Sequence, residues 1–231
     1  MTAQAPDPGA DAGELLLVDK PAGWTSFDVV NKLRYAHGGL KMGHAGTLDP
    51  LATGLLIICT GRMRKQIDQF MGLDKEYVST LRLGIRTSSF DMATPVLEER
   101  PVEGITEERI GEVLAGFLGT QQQLPPMWSA VKKDGKRLYD LARRGIEVER
   151  APREVRIESI TADRISIPDV TMTVTCSKGT YIRALVNDIG ERLGCGATMT
   201  ALRRTRIGSY RIEDARSVEQ LVERARELRG A

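Results

Sequence analysis

Short continuous apolar runs alternate along this chain with segments whose apolar residues recur every three or four positions. Leu15–Val18 is apolar throughout and runs into Asp19-Lys20-Pro21-Ala22-Gly23-Trp24, which predicts a buried strand followed by a turn. Thr25 or Ser26 can then cap a helix carrying Phe27, Val30, Leu33 and Arg34 at helical spacing, and Gly38-Gly39 stops it. Lys41–Pro50 has no period and is expected as a loop. Gly54–Thr60 predicts a second buried strand, Arg62–Phe70 a basic helix, and the alternating Tyr77–Leu83 a strand exposed on one face. Thr106–Leu118 is helical in pattern and is ended by the glutamines and Pro125-Pro126 that follow. Arg137–Arg144 reads as a short basic helix stopped by Gly145. Val155, Ile157 and Ile160, then Val170, Met172, Val174 and Cys176, form two period-two runs able to pair. Thr180 can cap a helix through Leu193 with Ile182, Leu185, Val186 and Ile189 on one face, and Val218–Leu228 reads as a charged, peripheral helix.

Strands and helices are interspersed without the regular alternation of a doubly wound sheet. The expectation is therefore an α+β protein with a mixed, mainly antiparallel sheet and flanking helices. Residues 1–14, a mixture of Ala, Pro, Gly and Asp, are expected as a disordered lead-in, residues 15–210 as one domain, and residues 211–231 as a helical tail. No apolar run approaches a membrane span, and the N-terminus lacks the pattern of a signal peptide, so a cytoplasmic protein is expected. Three widely spaced cysteines and two histidines argue against disulfides and metal sites. Neither GxxxxGK[ST] nor GxGxxG is present, which argues against a nucleotide cofactor. The net charge is only +2, yet basic residues gather between Lys132 and Arg156 and again at Arg203, Arg204, Arg206 and Arg211. These two patches suit either a phosphate backbone or plain solvated surface.

The densest unusual segment is Gly43-His44-Ala45-Gly46-Thr47-Leu48-Asp49-Pro50-Leu51-Ala52-Thr53-Gly54. Pro50 pushes Asp49 out of the helical region, so a stiff backbone aims its carboxylate. That arrangement suits a nucleophile, and an Asp-Pro pair equally suits an ordinary turn.

This segment closely resembles the active-site motif of the bacterial tRNA pseudouridine synthase B family. Asp19–Ser26, Lys75-Glu76-Tyr77, Gln123–Lys132, Gly179-Thr180-Tyr181-Ile182-Arg183 and Leu202-Arg203-Arg204-Thr205 are similar to further motifs of that family, in the same order. The resemblance spans Leu15 to Tyr210, with two departures. Trp128 stands where a smaller aromatic is usual, and the chain stops at Ala231, where longer members carry a full C-terminal RNA-binding domain.

The resemblance implies a pseudouridine synthase catalytic fold with an inserted RNA-binding lobe at about residues 121–156. It implies isomerisation of uridine 55 in the tRNA T-loop, without a cofactor. The modest size and the lack of a coiled-coil signal predict a monomer, and no obligate protein partner is evident. Asp49 is the implied catalytic carboxylate, whether it attacks the sugar, attacks the base or removes a sugar proton. Arg183 is its implied ion-pair partner. Tyr77 is implied to stack on the flipped base and to serve in proton transfer, with His44, Tyr181 and Leu202 binding substrate and Lys20 supporting the loop. Rival readings are a synthase for another RNA, an RNA-binding folding helper with incidental catalysis, and a carboxylate-dependent hydrolase.

Overall fold

A computed structural model describes residues 13–230. In chain order the elements are β1 (Leu15–Lys20), α1 (Ser26–Ala36), β2 (Met42–His44), β3 (Thr53–Thr60), α2 (Ile67–Gly72), β4 (Lys75–Leu83), β5 (Ile85–Thr87), β6 (Val96–Glu99), α3 (Glu107–Ala115) and β7 (Gly119–Gln123). They continue with β8 (Lys132–Lys133), β9 (Lys136–Arg137), α4 (Leu138–Ala142), β10 (Arg153–Ser166), β11 (Asp169–Cys176), α5 (Ile182–Leu193), β12 (Ala197–Ile207), β13 (Tyr210–Arg211), β14 (Arg216–Ser217) and α6 (Val218–Gly230). The sheet is mixed and mainly antiparallel, with flanking helices. The chain divides into two compact units, Met1–Lys75 with Arg203–Ala231, and Glu76–Leu202, a division that falls inside the stretch expected as one domain. The expected lead-in lies outside the described residues except for Gly13 and Glu14. Glu14 accepts from Thr60 N–H at 2.9 Å and donates its own N–H to Thr60 Oγ1 at 2.7 Å.

In the first unit the strand order is β14, β1, β3, β12. β1 and β3 are antiparallel from Leu15 opposite Cys59 to Lys20 opposite Gly54, whereas β12 joins β3 in parallel through Arg203 opposite Thr53 and Arg204 opposite Gly54. Both faces of β3 are covered, which is why its sequence is apolar without alternation. Leu56 and Ile58 face a core built with α1 and α6, while Leu55, Ile57 and Cys59 face Ala45, Phe70 and Ile207. α1 begins in a capping box, with Thr25 accepting from Asp28 N–H and the Asp28 carboxylate accepting from Thr25 N–H. The sequence misplaces α6. Val218, Leu221, Val222 and Ala225 recur at helical spacing and enter the core beside Val29 and Leu33, so the helix is charged outside but not peripheral. Burial of its larger apolar side chains contributes about 1.5–3 kcal/mol each. The expected loop over Lys41–Pro50 contains β2, and the expected basic helix opens as a 3₁₀ segment over Gly61–Gln66 before α2.

In the second unit the order is β12, β4, β11, β10, β7. β4 buries Tyr77, Ser79, Leu81 and Leu83 on alternate positions, and the two period-two runs pair as antiparallel β10 and β11. The glutamine run, read as a helix end, is strand β7 paired to β10. α5 is not capped by Thr180, whose hydroxyl donates to Ser177 O. Its N-cap is Tyr181, and it ends at Gly194 in the left-handed region. A Cβ on Gly190 of α5 would lie 2.1 Å from Ala197 N, so only glycine lets β12 start that close to the helix. Within the inserted lobe β8 and β9 form a hairpin whose Asp134 and Gly135 both have positive φ, as a tight two-residue turn requires.

Candidate active site

Asp49 stands half-buried in a loop whose backbone is tied down on every side. Ser26 Oγ accepts from Leu48 N–H at 2.9 Å, and Pro50 O accepts from Gly23 N–H at 2.8 Å and from Lys20 Nζ at 3.2 Å. Lys20 Nζ also donates to Trp24 O at 2.6 Å and Pro21 O at 2.8 Å, which uses all three of its protons. The side chain of Lys20 is fully buried. Burial, helped by the Arg204 charge, pushes its pKa down to about 8 against the opposing charge of Asp49.

A second buried cation closes the loop from its other end. Arg204 is 1% exposed and donates from Nε to Leu55 O at 2.7 Å and from Nη2 to Gly46 O at 3.2 Å. Gly54 has φ +102°, and a Cβ there would lie 2.3 Å from Arg204 O, so the close approach of β3 and β12 depends on glycine. His44 leads into the loop from β2. Burial, and then the Arg204 charge, hold its imidazole below the ordinary range and therefore neutral at pH 7. The first unit thus gathers three expected site residues, Lys20, His44 and Asp49, around one loop.

The other four lie in the second unit. Tyr77 is on the buried side of β4, and Leu202 is buried on β12. Tyr181 is half-buried at the start of α5, its N–H donating to Gln123 Oε1 and its carbonyl accepting from Gln123 Nε2, with the Arg153 guanidinium 5.3 Å from its ring centroid. Arg183 is 3% exposed. Its Nη1 donates to Ser89 O and its Nη2 to Trp128 O, both at 2.9 Å, and its Nε lies 3.6 Å from Asp91 Oδ2.

Two sequence readings need correction here. The Thr87–Asp91 segment reads by sequence as an exposed turn or one that faces RNA, yet Asp91 is buried beside Arg183, and its carboxylate also accepts from Ala93 N–H. Each charge offsets the desolvation of the other. The hydroxyl-rich Thr87-Ser88-Ser89 before it is the available signal, since Thr87 and Ser89 both donate to Asp91 O. Arg203, Arg204 and Arg206 are not a free phosphate-binding patch either, although Arg211 is exposed. Arg204 is internal, Arg203 makes a two-pronged pair with Asp19 at 3.1 and 2.8 Å, and Arg206 donates to Gly208 O. The inserted lobe does keep its charges in water. Lys132, Lys133, Lys136, Arg137, Arg143 and Arg144 are exposed around buried Leu138 and Leu141, beside a cavity of about 730 Å³ lined in part by Lys132, Lys133, Arg150 and Arg153.

Among the described residues no three His, Cys, Asp or Glu side chains gather as a metal site. No helix among them is long and apolar enough to cross a membrane.

The model of the TruB family pseudouridylate synthase N-terminal domain matches residues 33–182, and that of the tRNA pseudouridylate synthase B C-terminal domain matches residues 183–229. The tRNA pseudouridine synthase B of Phocaeicola vulgatus is 50% identical over 217 residues, covering 91% of this chain and 92% of that protein. That of Ralstonia pickettii is 48% identical over 228 residues, covering 97% of this chain and 71% of that protein. Among solved structures, a chain of a Cbf5–Nop10–Gar1 complex superposes with a TM-score of 0.72 at 29% identity over 93% of this chain, which spans about half (54%) of that longer one. On both family models and these identities, the chain belongs to the TruB family of pseudouridylate synthases, which are isomerases.

Proposed function

We propose that this enzyme converts uridine 55 in the T-loop of tRNA to pseudouridine, with Asp49 as the catalytic nucleophile. The observation that carries the reading is the carboxylate on a loop immobilised by two buried cations, Lys20 and Arg204, within the family's motif. The reaction breaks the bond from ribose C1′ to N1, joins C1′ to C5, releases the C5 proton and returns a proton to N1. It is redox-neutral and calls for no cofactor. Attack on the sugar, attack on the base and removal of a sugar proton all require the same ionised, well-aimed carboxylate.

In this proposal Arg183 forms the ion pair that keeps Asp49 charged in a desolvated pocket. The target base is flipped out of the T-loop at a cost of a few kcal/mol, which stacking on Tyr77 offsets. Tyr77 also serves in proton transfer. Tyr181 and Leu202 line the base pocket, His44 fills the space the base vacates, and Lys20 acts only through the loop. The inserted lobe grips phosphates while the folded shape of the RNA selects it. The enzyme works in the cytoplasm as a monomer.

The test is pseudouridine formation in unmodified tRNA transcripts with the wild type and Asp49→Asn, with the product position mapped and binding measured in parallel. Conversion at position 55 is expected to fall by about 10⁴-fold or more in the variant, with binding retained. A wild type that binds but converts nothing would instead support a folding helper, and conversion elsewhere would name another RNA target.

A further inference from the structure

Far along α1 from the capping box lies a surface cavity of about 500 Å³ that the catalytic reading does not use. It is lined by Asn31, Arg34, Tyr35, Gly38, Gly39 and Arg229, and no carboxylate lines it. A helix C-terminus ordinarily repels anions, because its last carbonyls are unpaired and carry the negative end of the dipole. Here all four are satisfied. Leu33 O accepts from His37 N–H, Arg34 O from Gly39 N–H, Tyr35 O from Gly38 N–H and Ala36 O from Arg229 Nη1 at 3.2 Å. The bond to Ala36 O also fixes the Arg229 guanidinium at the cavity wall, where a Cβ on Gly38 would come within 3.3 Å of it.

What remains unused is the other half of the set. The Arg34 side chain makes no hydrogen bond or ion pair among the described residues, and Tyr35 is 86% exposed with no cation over its ring. Two guanidiniums, an open aromatic face and an amide around one cleft match a nucleotide unit: phosphate on the arginines, base on the tyrosine, base edge on Asn31. We propose that this cleft is a second RNA contact, in which Arg34 and Arg229 hold backbone phosphate and Tyr35 stacks on an adjacent unpaired base. The proposal rests on the reading that the substrate is RNA, and it places a grip on that RNA in the first unit, apart from the inserted lobe.

The experiment measures tRNA binding against salt concentration, together with single-turnover pseudouridine formation at saturating enzyme, for the wild type, Arg34→Ala, Arg229→Ala and Tyr35→Ala. Arg109→Ala, on an exposed face of α3, serves as the charge-matched control. Each cleft arginine variant is expected to weaken binding about fivefold and to flatten the salt dependence by about one phosphate. Tyr35→Ala is expected to weaken binding by a similar factor with the salt slope unchanged, and saturating conversion is expected to hold in all four. Variants that bind like the wild type, or a control that weakens binding equally, would overturn the proposal. So would saturation of the cleft by uridine monophosphate at micromolar concentration, which would assign it to a free nucleotide. Absence of conversion by the wild type would instead strike the catalytic reading alone.

Discussion

The Asp49 loop and the inserted lobe both carry several cations, and they use them in opposite ways. Lys20 and Arg204 are buried, with Lys20 spending all its donors on backbone carbonyls that surround the loop and Arg204 spending at least two. Lys132, Lys136, Arg137 and Arg144 stand in water on a small hairpin and just past a short helix, where charge adds little to stability. A buried cation is expensive to desolvate and costly to remove, so it fixes geometry. A solvated one is cheap and remains available to a partner. The comparison teaches that a basic residue count says nothing until burial divides it.

The sharpest way to break the comparison is to remove an internal cation. Arg204→Met leaves Gly46 O and Leu55 O without donors in a dry site, and unfolding free energy should fall by about 3 kcal/mol in denaturant titrations, with conversion falling as well. An unchanged midpoint would show that Arg204 anchors nothing. The pH dependence of Lys20 probes the same region more gently. Its folded pKa of about 8 lies below the ordinary 10.5, so between those values the unfolded chain binds more protons. Stability should therefore rise from pH 8 to 10.5, by up to about 3 kcal/mol, and this gain should be absent in Lys20→Met. Because the Asp49 charge holds the Lys20 pKa up, Asp49→Asn should move the onset below pH 8, which a titration of the Lys20 amine by nuclear magnetic resonance would read. The smallest effect belongs to the lobe. Lys132→Ala with Lys136→Ala should change stability by less than about 0.5 kcal/mol while lowering the salt dependence of tRNA binding by about one phosphate per residue.

Much of this architecture is legible in residue order. β1, β3, β4, β10 and β11 announce themselves as apolar or alternating runs, and α1, α3 and α5 as helical spacing. The Gly43–Gly54 motif singles out the Asp49 loop before any coordinates. What stays hidden is charge that folds inward. The Arg203–Arg206 run masks β12 as a basic surface segment, because nothing local says that Leu55 O and Gly46 O will accept from Arg204. α6 is misjudged for the related reason that its six charged residues outnumber four inward ones. Asp91 likewise looks like a turn residue until Arg183, far along the chain, arrives beside it.

The pairing of β3 with β12 also has a temporal meaning. It rests on two residue pairs, Arg203 with Thr53 and Arg204 with Gly54, and so short a joint is prone to slip. A slip of one residue would turn Arg203 or Thr205 toward the loop in place of Arg204, and neither reaches the two carbonyls from the same side of the strand. Arg204 thus works as a key cut for one register. It lies 158 residues beyond Gly46, so a ribosome adds all of that length after the loop before the key exists. The Asp49 loop is therefore made well before its lock, and a growing chain holds that carboxylate slack until β12 has emerged to pair with β3.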